Sequence, residues 1–196
     1  MLEEDTFANV GVAIQNKPRI DNRERMRNLS QRRDVFDRIT SSNLVQRGEG
    51  LNYFNDKSGG YYITYNGHLY HGDEVEAAKI LADNGFEVRL TSEQTSSITT
   101  PGGRFKEGKI SRFWYEQMTP ESTNEDVLKR SIEHAHDKNA SIALIYDVDG
   151  RYDDRKIGRA IGRYIGQHRV SNNYPVKEIL VVSKTTRTVK SYRIYK

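Results

Sequence analysis

The sequence predicts an α+β fold in which a central, mostly antiparallel sheet is flanked by helices and preceded by a charged helical arm. Stretches with apolar residues three or four positions apart alternate with short runs of β-forming residues, and turn-forming residues separate them. The chain of 196 residues suits one domain of about 100–150 residues with an extension. From residue 73 the predicted order is α-β-β-β-α-β-α-β-β.

Residues 1–50 are predicted to be the charged arm and a linker, and residues 51–196 the domain. Residues 21–39 favour a helix with a thin apolar stripe, because nearly all its other positions are charged. The stripe consists of Met26, Leu29, Phe36 and Ile39. Such a helix packs loosely, bridges to a partner or passes the chain to another domain, so we expect the arm to add little to the core.

The domain is predicted to open with a hairpin at residues 61–70, in which Asn66-Gly67 supplies the turn. Residues 41–60 are predicted to be a linker or loop. Helices are predicted at 73–84, 123–138 and 153–167. Capping boxes are expected at the first two helices, formed by Asp73 with Glu76 and by Ser122 with Glu125. The remaining strands are predicted at 86–90, 109–118, 141–146, 177–183 and 188–195.

Composition excludes several classes of protein. The chain has no cysteine, which excludes disulfides and thiolate metal sites. No apolar run approaches the roughly 18 residues that a membrane span needs. The acidic start also lacks the apolar stretch of a signal peptide. These features predict a cytoplasmic protein without a membrane partner.

The net charge of +4 hides an asymmetry along the chain. Residues 1–50 carry 9 basic and 8 acidic groups, residues 51–150 carry 10 and 16, and residues 151–196 carry 12 and 3. The basic last quarter is typical of a surface that attracts polyanions, nucleic acids among them. The alternative interpretation is a solvated basic surface that balances the acidic middle of the chain.

Glu116 is the strongest candidate for chemistry, because it lies among aromatic residues in the predicted strand. A carboxylate in such surroundings is costly unless it is paired, hydrogen-bonded or used in function. Together with Glu74 or Glu76 of the first helix, Glu116 would bind a divalent metal or act as a general base. The alternative is an outward-facing glutamate on an amphipathic strand.

Five short segments follow one another along the chain in a characteristic order. They are a Glu-bearing helix ending Ala82-Asp83-Asn84-Gly85-Phe86-Glu87-Val88, the turn Pro101-Gly102-Gly103, Tyr115-Glu116 before Thr119-Pro120, the helix end at 134–140 and the strand 142–147. In this layout the stretch from Asp73 to Val182 resembles the C-terminal nuclease domains of contact-dependent growth-inhibition toxins and their relatives in phages and mobile elements. The resemblance implies a nuclease, with a cognate immunity or carrier protein as a further partner.

The chain departs from these domains at two places. Their strand typically has Glu-x-Lys, whereas Gln117-Met118 follow Glu116 here, and Gly102 stands where an Asp often follows the proline. The departures favour a metal-independent ribonuclease over a metal-dependent deoxyribonuclease, with a degenerate homologue as the alternative. No cofactor is therefore expected and no metal ligand is assigned, a divalent metal being the less favoured option. The candidate catalytic residues are Glu116, Lys106, Thr119, Thr123, Glu74 and His71.

The third predicted helix carries Arg155, Arg159 and Arg163 at every fourth position, next to a matching series of glycines. One interpretation is an arginine ridge that lies along a phosphate backbone, with Arg104 and Lys109 as further contacts. The other is that the glycines pack tightly on the sheet while the arginines stand in solvent. Each glycine costs about 1 kcal/mol relative to alanine in a helix, so three of them indicate a close approach to the backbone.

The leading hypothesis is a nuclease-like domain of toxin or mobile-element origin that cleaves RNA, in preference to DNA, by general acid/base chemistry. A ribonuclease needs no metal, because the 2′-hydroxyl of RNA serves as the nucleophile. Glu116 would be the central acid or base, with Lys106 and Thr119 stabilising the phosphate. The alternative is a non-catalytic nucleic-acid-binding accessory protein of a phage or mobile element. A third hypothesis is an interaction domain that docks through the N-terminal helix.

Overall fold

The computed structural model describes residues 12–13, 22–69, 71–91, 107–122, 124–171 and 174–194. The elements are β1 (Val12–Ala13), α1 (Asn22–Thr40), β2 (Asn52–Phe54), β3 (Tyr61–Thr64), α2 (Gly72–Asp83), β4 (Glu87–Leu90), β5 (Gly108–Ile110), β6 (Phe113–Met118), α3 (Glu125–Asp137), β7 (Ile142–Asp147), α4 (Asp154–His168), β8 (Glu178–Ser183) and β9 (Val189–Ile194). From α2 onward this order is the predicted one. The α+β class is confirmed.

The described strands form one mixed sheet in the order β1-β9-β8-β7-β6-β5-β4-β3-β2. Three neighbouring pairs are parallel, namely β3 with β4, β6 with β7, and β7 with β8. The other five described pairs are antiparallel, so the sheet is mostly antiparallel, as predicted. Each parallel pair is joined through a helix on one face of the sheet, the connection that parallel strands require.

Two cores lie on opposite faces of the sheet. On one face α2 packs on β3 to β8, with Leu81 and Leu144 among its buried residues. On the other face α3 and α4 pack on β7 and β8, with Ile132 and Ile161 in the core. Because side chains alternate along a strand, β6 sends Tyr115 to the α2 face and Glu116 to the α3 face.

No helix in the described parts of the chain is long and apolar enough to cross a membrane.

Helix α1 contacts the far end of the sheet. Phe36 and Ile39 pack against a small cluster of Val45, Tyr61 and Ile63. A side-chain N–H of Arg32 also donates to the carbonyl of Gly85 at 2.9 Å. The boundary predicted at residue 50 remains a prediction, but residues on both of its sides share these contacts.

The hairpin predicted at residues 61–70 is wrong. β3 pairs antiparallel with β2, which lies inside the predicted linker, and parallel with β4. Asn66-Gly67 does form a turn, with Gly67 at φ 84°, but the chain then proceeds to α2. All four residues of β3 are buried, and a place between two strands satisfies the backbone of a buried strand better than a short hairpin does.

The capping boxes predicted at α2 and α3 are also wrong. His71 occupies the N-cap position of α2 and makes no side-chain capping hydrogen bond. Asn124 caps α3, and its side chain accepts a backbone hydrogen bond from the first turn. The N-cap of each helix lies two residues from the predicted one, and Asn is as good an N-cap as Ser. Helix α4 is capped by Asp153.

Candidate functional site

The site centres on Glu116, whose side chain is 1% exposed. Its Oε1 accepts from Nε2 of His134 at 2.9 Å and also from the ammonium of Lys138. Burial raises the pKa of Glu116, while the hydrogen bond and charge of Lys138 oppose that shift. Glu116 is therefore a paired carboxylate in an aromatic strand. Its partners come from the end of helix α3.

The fold brings these partners together through the β6–α3–β7 connection. β6 and β7 are parallel, with Glu116 opposite Ala143, so α3 must run back across the sheet between them. His134 and Lys138 are four residues apart, the spacing that places side chains on one face of a helix. Asn139 follows with φ 53° and lets the chain leave α3 for β7. His134 and Lys138 are thereby kept beside Glu116.

His134 links the buried carboxylate to the surface. Its side chain is 41% exposed, whereas that of Glu116 is 1% exposed. Because Nε2 faces a carboxylate oxygen, Nε2 carries the proton, and Nδ1 is the nitrogen left for proton exchange. A carboxylate that orients an imidazole in this way is the arrangement used by general-base histidines.

Glu107 and Glu74 bring two more carboxyl groups to the site. Glu107 immediately precedes β5, and continuation of the β5–β6 register places it opposite Glu116. One of its oxygens accepts from the backbone N–H of Gln117. Burial and the charges of Glu116 and then Glu74 raise the pKa of Glu107 to about 9. Glu107 is therefore protonated and neutral at pH 7.

Glu74 is joined to the end of β4 through His68. Nδ1 of His68 lies 2.9 Å from the carbonyl of Thr91 and must donate to it. Nε2 of His68 then faces Oε2 of Glu74 at 3.2 Å. Together with Glu107 and Glu116, these groups form a polar cluster at the sheet end where β3, β4 and β6 finish.

Within the described residues, no group of three or more His, Asp or Glu side chains has a geometry that would hold a metal ion. The carboxyl groups of the cluster are near enough to influence one another electrostatically. Oε2 of Glu116 is buried and, in the described part of the chain, has no hydrogen-bond partner. The hydrogen-bonded groups around Oε1 therefore fit proton transfer, whereas a divalent cation would require these carboxyl groups to move.

The other predicted catalytic residues are placed less centrally. Thr119 directly follows β6 and is half-buried, and His71 is exposed at the start of α2. Glu74 joins the cluster through its charge on Glu107. Lys106, Thr123 and the nucleic-acid candidate Arg104 lie outside the described residues.

The predicted nucleic-acid contacts divide into two groups. Lys109 lies on β5, with its ammonium 4.4 Å from the ring centroid of Trp114. Arg155, Arg159 and Arg163 lie on α4, and all three are exposed. Arg159 pairs with Glu125 at 2.9 Å. Arg163 contacts the same carboxylate at 3.2 Å and Asp126 at 2.5 Å.

The glycines of α4 do not all behave as tight packing would require. A Cβ placed on Gly158 or Gly166 would meet no atom within 4 Å. Neither residue therefore packs against the sheet. This result excludes, for these two positions, the interpretation that the glycines serve contact with the sheet. The described residues offer no contact that explains why these two positions are glycine.

Three residues of the site escaped the sequence interpretation, namely Lys138, His134 and Glu107. Lys138 comes from the end of α3, and Glu107 immediately precedes β5. The signal for the first two is the four-residue spacing of a histidine and a lysine at the end of a helix that follows the strand.

In comparisons with protein-family models, curated proteins and solved structures, no match to this chain was found.

Proposed function

We propose that this chain is a nuclease that cleaves RNA by general acid/base chemistry at Glu116, His134 and Lys138. The observation that supports the proposal is the buried carboxylate of Glu116, whose Oε1 holds both the half-exposed imidazole and the ammonium. Burying a charge is costly unless it is paired or serves a function. A buried carboxylate that orients a surface histidine beside a lysine provides a general base and a positive charge, both of which phosphoryl transfer uses.

The roles follow from the geometry. Nδ1 of His134 removes the proton of the 2′-hydroxyl, and the 2′-oxygen attacks phosphorus. The bond to the 5′-oxygen breaks, and the imidazolium returns the proton to that oxygen, so the products are a cyclic phosphate and a 5′-hydroxyl. Glu116 holds the imidazole and stabilises its charged form. Lys138 stabilises the negative charge that develops on the phosphate oxygens.

A metal-assisted route is the second candidate mechanism, and a specific observation favours it. Oε2 of Glu116 is buried without a hydrogen-bond partner in the described residues, and burial, together with repulsion from Glu116 and Glu74, keeps Glu107 protonated at neutral pH. A divalent cation held by these carboxylates would relieve that repulsion and would supply Lewis-acid stabilisation of the phosphate.

The test uses total RNA and plasmid DNA, each with magnesium and with chelator. We expect wild-type protein to cleave RNA in both conditions. Glu116→Gln and His134→Gln should each lower the rate by about 10²–10⁴-fold, the usual contribution of a positioned acid or base. Glu121→Gln, which changes an exposed carboxylate outside the cluster, is the matched control and should keep wild-type activity.

Each other outcome contradicts part of the proposal. Cleavage that requires magnesium would replace the metal-free mechanism with the metal-assisted one. Cleavage that survives both substitutions would remove Glu116 and His134 from the reaction. RNA that is bound and never cleaved would identify the chain as a non-catalytic binding protein, the alternative that its basic C-terminal quarter supports.

A further inference from the structure

The β5–β6 hairpin carries an aromatic and a cationic side chain in contact on the same face as Glu116. Register places Lys109 directly opposite Trp114, and the ammonium of Lys109 lies 4.4 Å from the ring centroid. Both side chains are partly exposed. Trp114 and Glu116 are two residues apart on one strand, so they share a face at a rise of about 6.6 Å.

The combination of an indole and an ammonium matches the chemistry of a nucleotide. Bases present π-faces that stack on aromatic rings, and phosphates pair with cations. In a duplex the base faces are covered by their neighbours, whereas an unpaired base is free to stack on a protein side chain. A surface with one ring and one cation therefore fits a single strand.

We propose that Trp114 and Lys109 form a stacking platform for one base of single-stranded RNA and position the adjoining phosphate at Glu116 and its partners. The inference rests on the proposed nuclease function and names its substrate class. Stacking one base strengthens binding by about 5- to 140-fold, whereas an exposed cation–π contact contributes about 2- to 5-fold. The base therefore displaces the ammonium of Lys109 from the ring, and the ammonium turns to the phosphate.

A neighbouring residue provides a matched control. Phe113 is 43% exposed and lies beneath the guanidinium of Arg112, at 5.0 Å from its ring centroid. Strand alternation places Phe113 on the face opposite Trp114 and Glu116. It offers a similar aromatic and cationic pair on the other face of the sheet, away from Glu116.

Trp114 is the single tryptophan of the chain, so its intrinsic fluorescence reports directly on stacking. The probe is a 2′-O-methyl RNA oligonucleotide, which lacks the nucleophile and stays intact. We expect the single strand to quench the fluorescence of the full chain and a hairpin duplex of the same composition to quench it much less. In anisotropy titrations, Trp114→Leu should weaken single-strand binding at least 5-fold, Trp114→Phe should retain most of it, and Phe113→Leu should leave it unchanged.

The outcomes separate this inference from the proposed function. Quenching and a Trp114-dependent affinity without RNA cleavage would support the platform and contradict the nuclease. RNA cleavage with unquenched Trp114 and an unchanged affinity of Trp114→Leu would overturn the platform and leave the nuclease in place. Equal quenching by single strand and duplex would overturn the single-strand assignment, as would an equal loss of affinity in Phe113→Leu.

Discussion

Two buried carboxylates on neighbouring parallel strands are held in different ways. Asp147 finishes β7 and is 3% exposed, and Glu116 lies in β6 and is 1% exposed. Both oxygens of Asp147 accept from backbone N–H groups, those of Arg151 at 3.0 Å and Tyr152 at 3.1 Å. One oxygen of Glu116 is bound by the imidazole of His134 and the ammonium of Lys138, and the other has no hydrogen-bond partner in the described residues.

The difference distinguishes a structural carboxylate from a poised one. Backbone donors are part of the fold, so Asp147 is satisfied as long as β7 and the turn into α4 keep their shape. Side-chain donors at a partly exposed edge are able to exchange protons or turn toward a ligand, and an unsatisfied buried oxygen is retained only where something offsets its cost. Burial alone does not separate the two residues, whereas the identity of their donors does.

The largest effect is expected for Asp147→Ala. Each hydrogen bond to a charged group contributes about 1.5–3 kcal/mol, and the variant loses two while it leaves two backbone N–H groups unpaired. We expect it to lose about 3 kcal/mol of unfolding free energy, a fall of about 6–12 °C in Tm, and to keep its RNA-cleaving rate per folded molecule. Thermal melts and rates measured on the same samples check this. A stable but inactive variant would place Asp147 in the site.

A smaller effect with a defined pH dependence is expected for Glu107→Gln. An unfolded glutamate ionises near 4.5, while the pKa of Glu107 in the fold is about 9. The folded state holds a proton that the unfolded state loses, so the stability that Glu107 confers at low pH is lost as pH rises through this window. Glutamine removes that dependence and keeps the acceptor for Gln117. At pH 8 the variant should melt above wild type, and the separation should widen as pH rises from about 4.5 toward about 9.

The control for this change is pH itself. At pH 4 the carboxyl group is protonated in both states, so wild type and Glu107→Gln should melt together. Calorimetry across pH 4–9 measures the separation of the two curves. Curves that stay parallel over the whole range would mean that Glu107 is ionised in the folded protein and that its neighbours offset the repulsion.

Much of the fold was predictable because its signals are local. Helices α2, α3 and α4 follow from apolar residues at helical spacing, and β7 follows from a short apolar run. The hairpin at residues 61–70 was wrong because Asn66-Gly67 is a local signal, whereas the partners of β3 are fixed by burial against β2 and β4. No local pattern announces a parallel partner 26 positions away, such as Glu87 opposite Tyr61.

The site was predictable only where one residue conflicts with its own strand. Glu116 stands out because a carboxylate among aromatics needs an explanation. Its partners His134 and Lys138 lie in a helix where charged side chains are ordinary, and only the β6–α3–β7 connection brings them to it. Glu107 gives no signal for the same reason, since the sequence before it is rich in polar residues and only the register of β5 and β6 identifies it.

The smallest effect is expected on α4, where Arg159 and Arg163 already have ion-pair partners and Arg155 has none among the described residues. Replacing Arg155, Arg159 and Arg163 together by Gln would lower the slope of log affinity against log salt by about 2 if all three bind RNA phosphates, at ~0.7 each for a single strand. Because Glu125 and Asp126 already neutralise Arg159 and Arg163, we expect a fall of only about 0.7, from Arg155. Binding isotherms of the 2′-O-methyl oligonucleotide at several salt concentrations measure the slope.

Glu125→Gln with Asp126→Asn releases both arginines and should steepen the slope. A triple arginine variant whose slope falls by the full 2 would show that the ridge binds RNA despite its ion pairs.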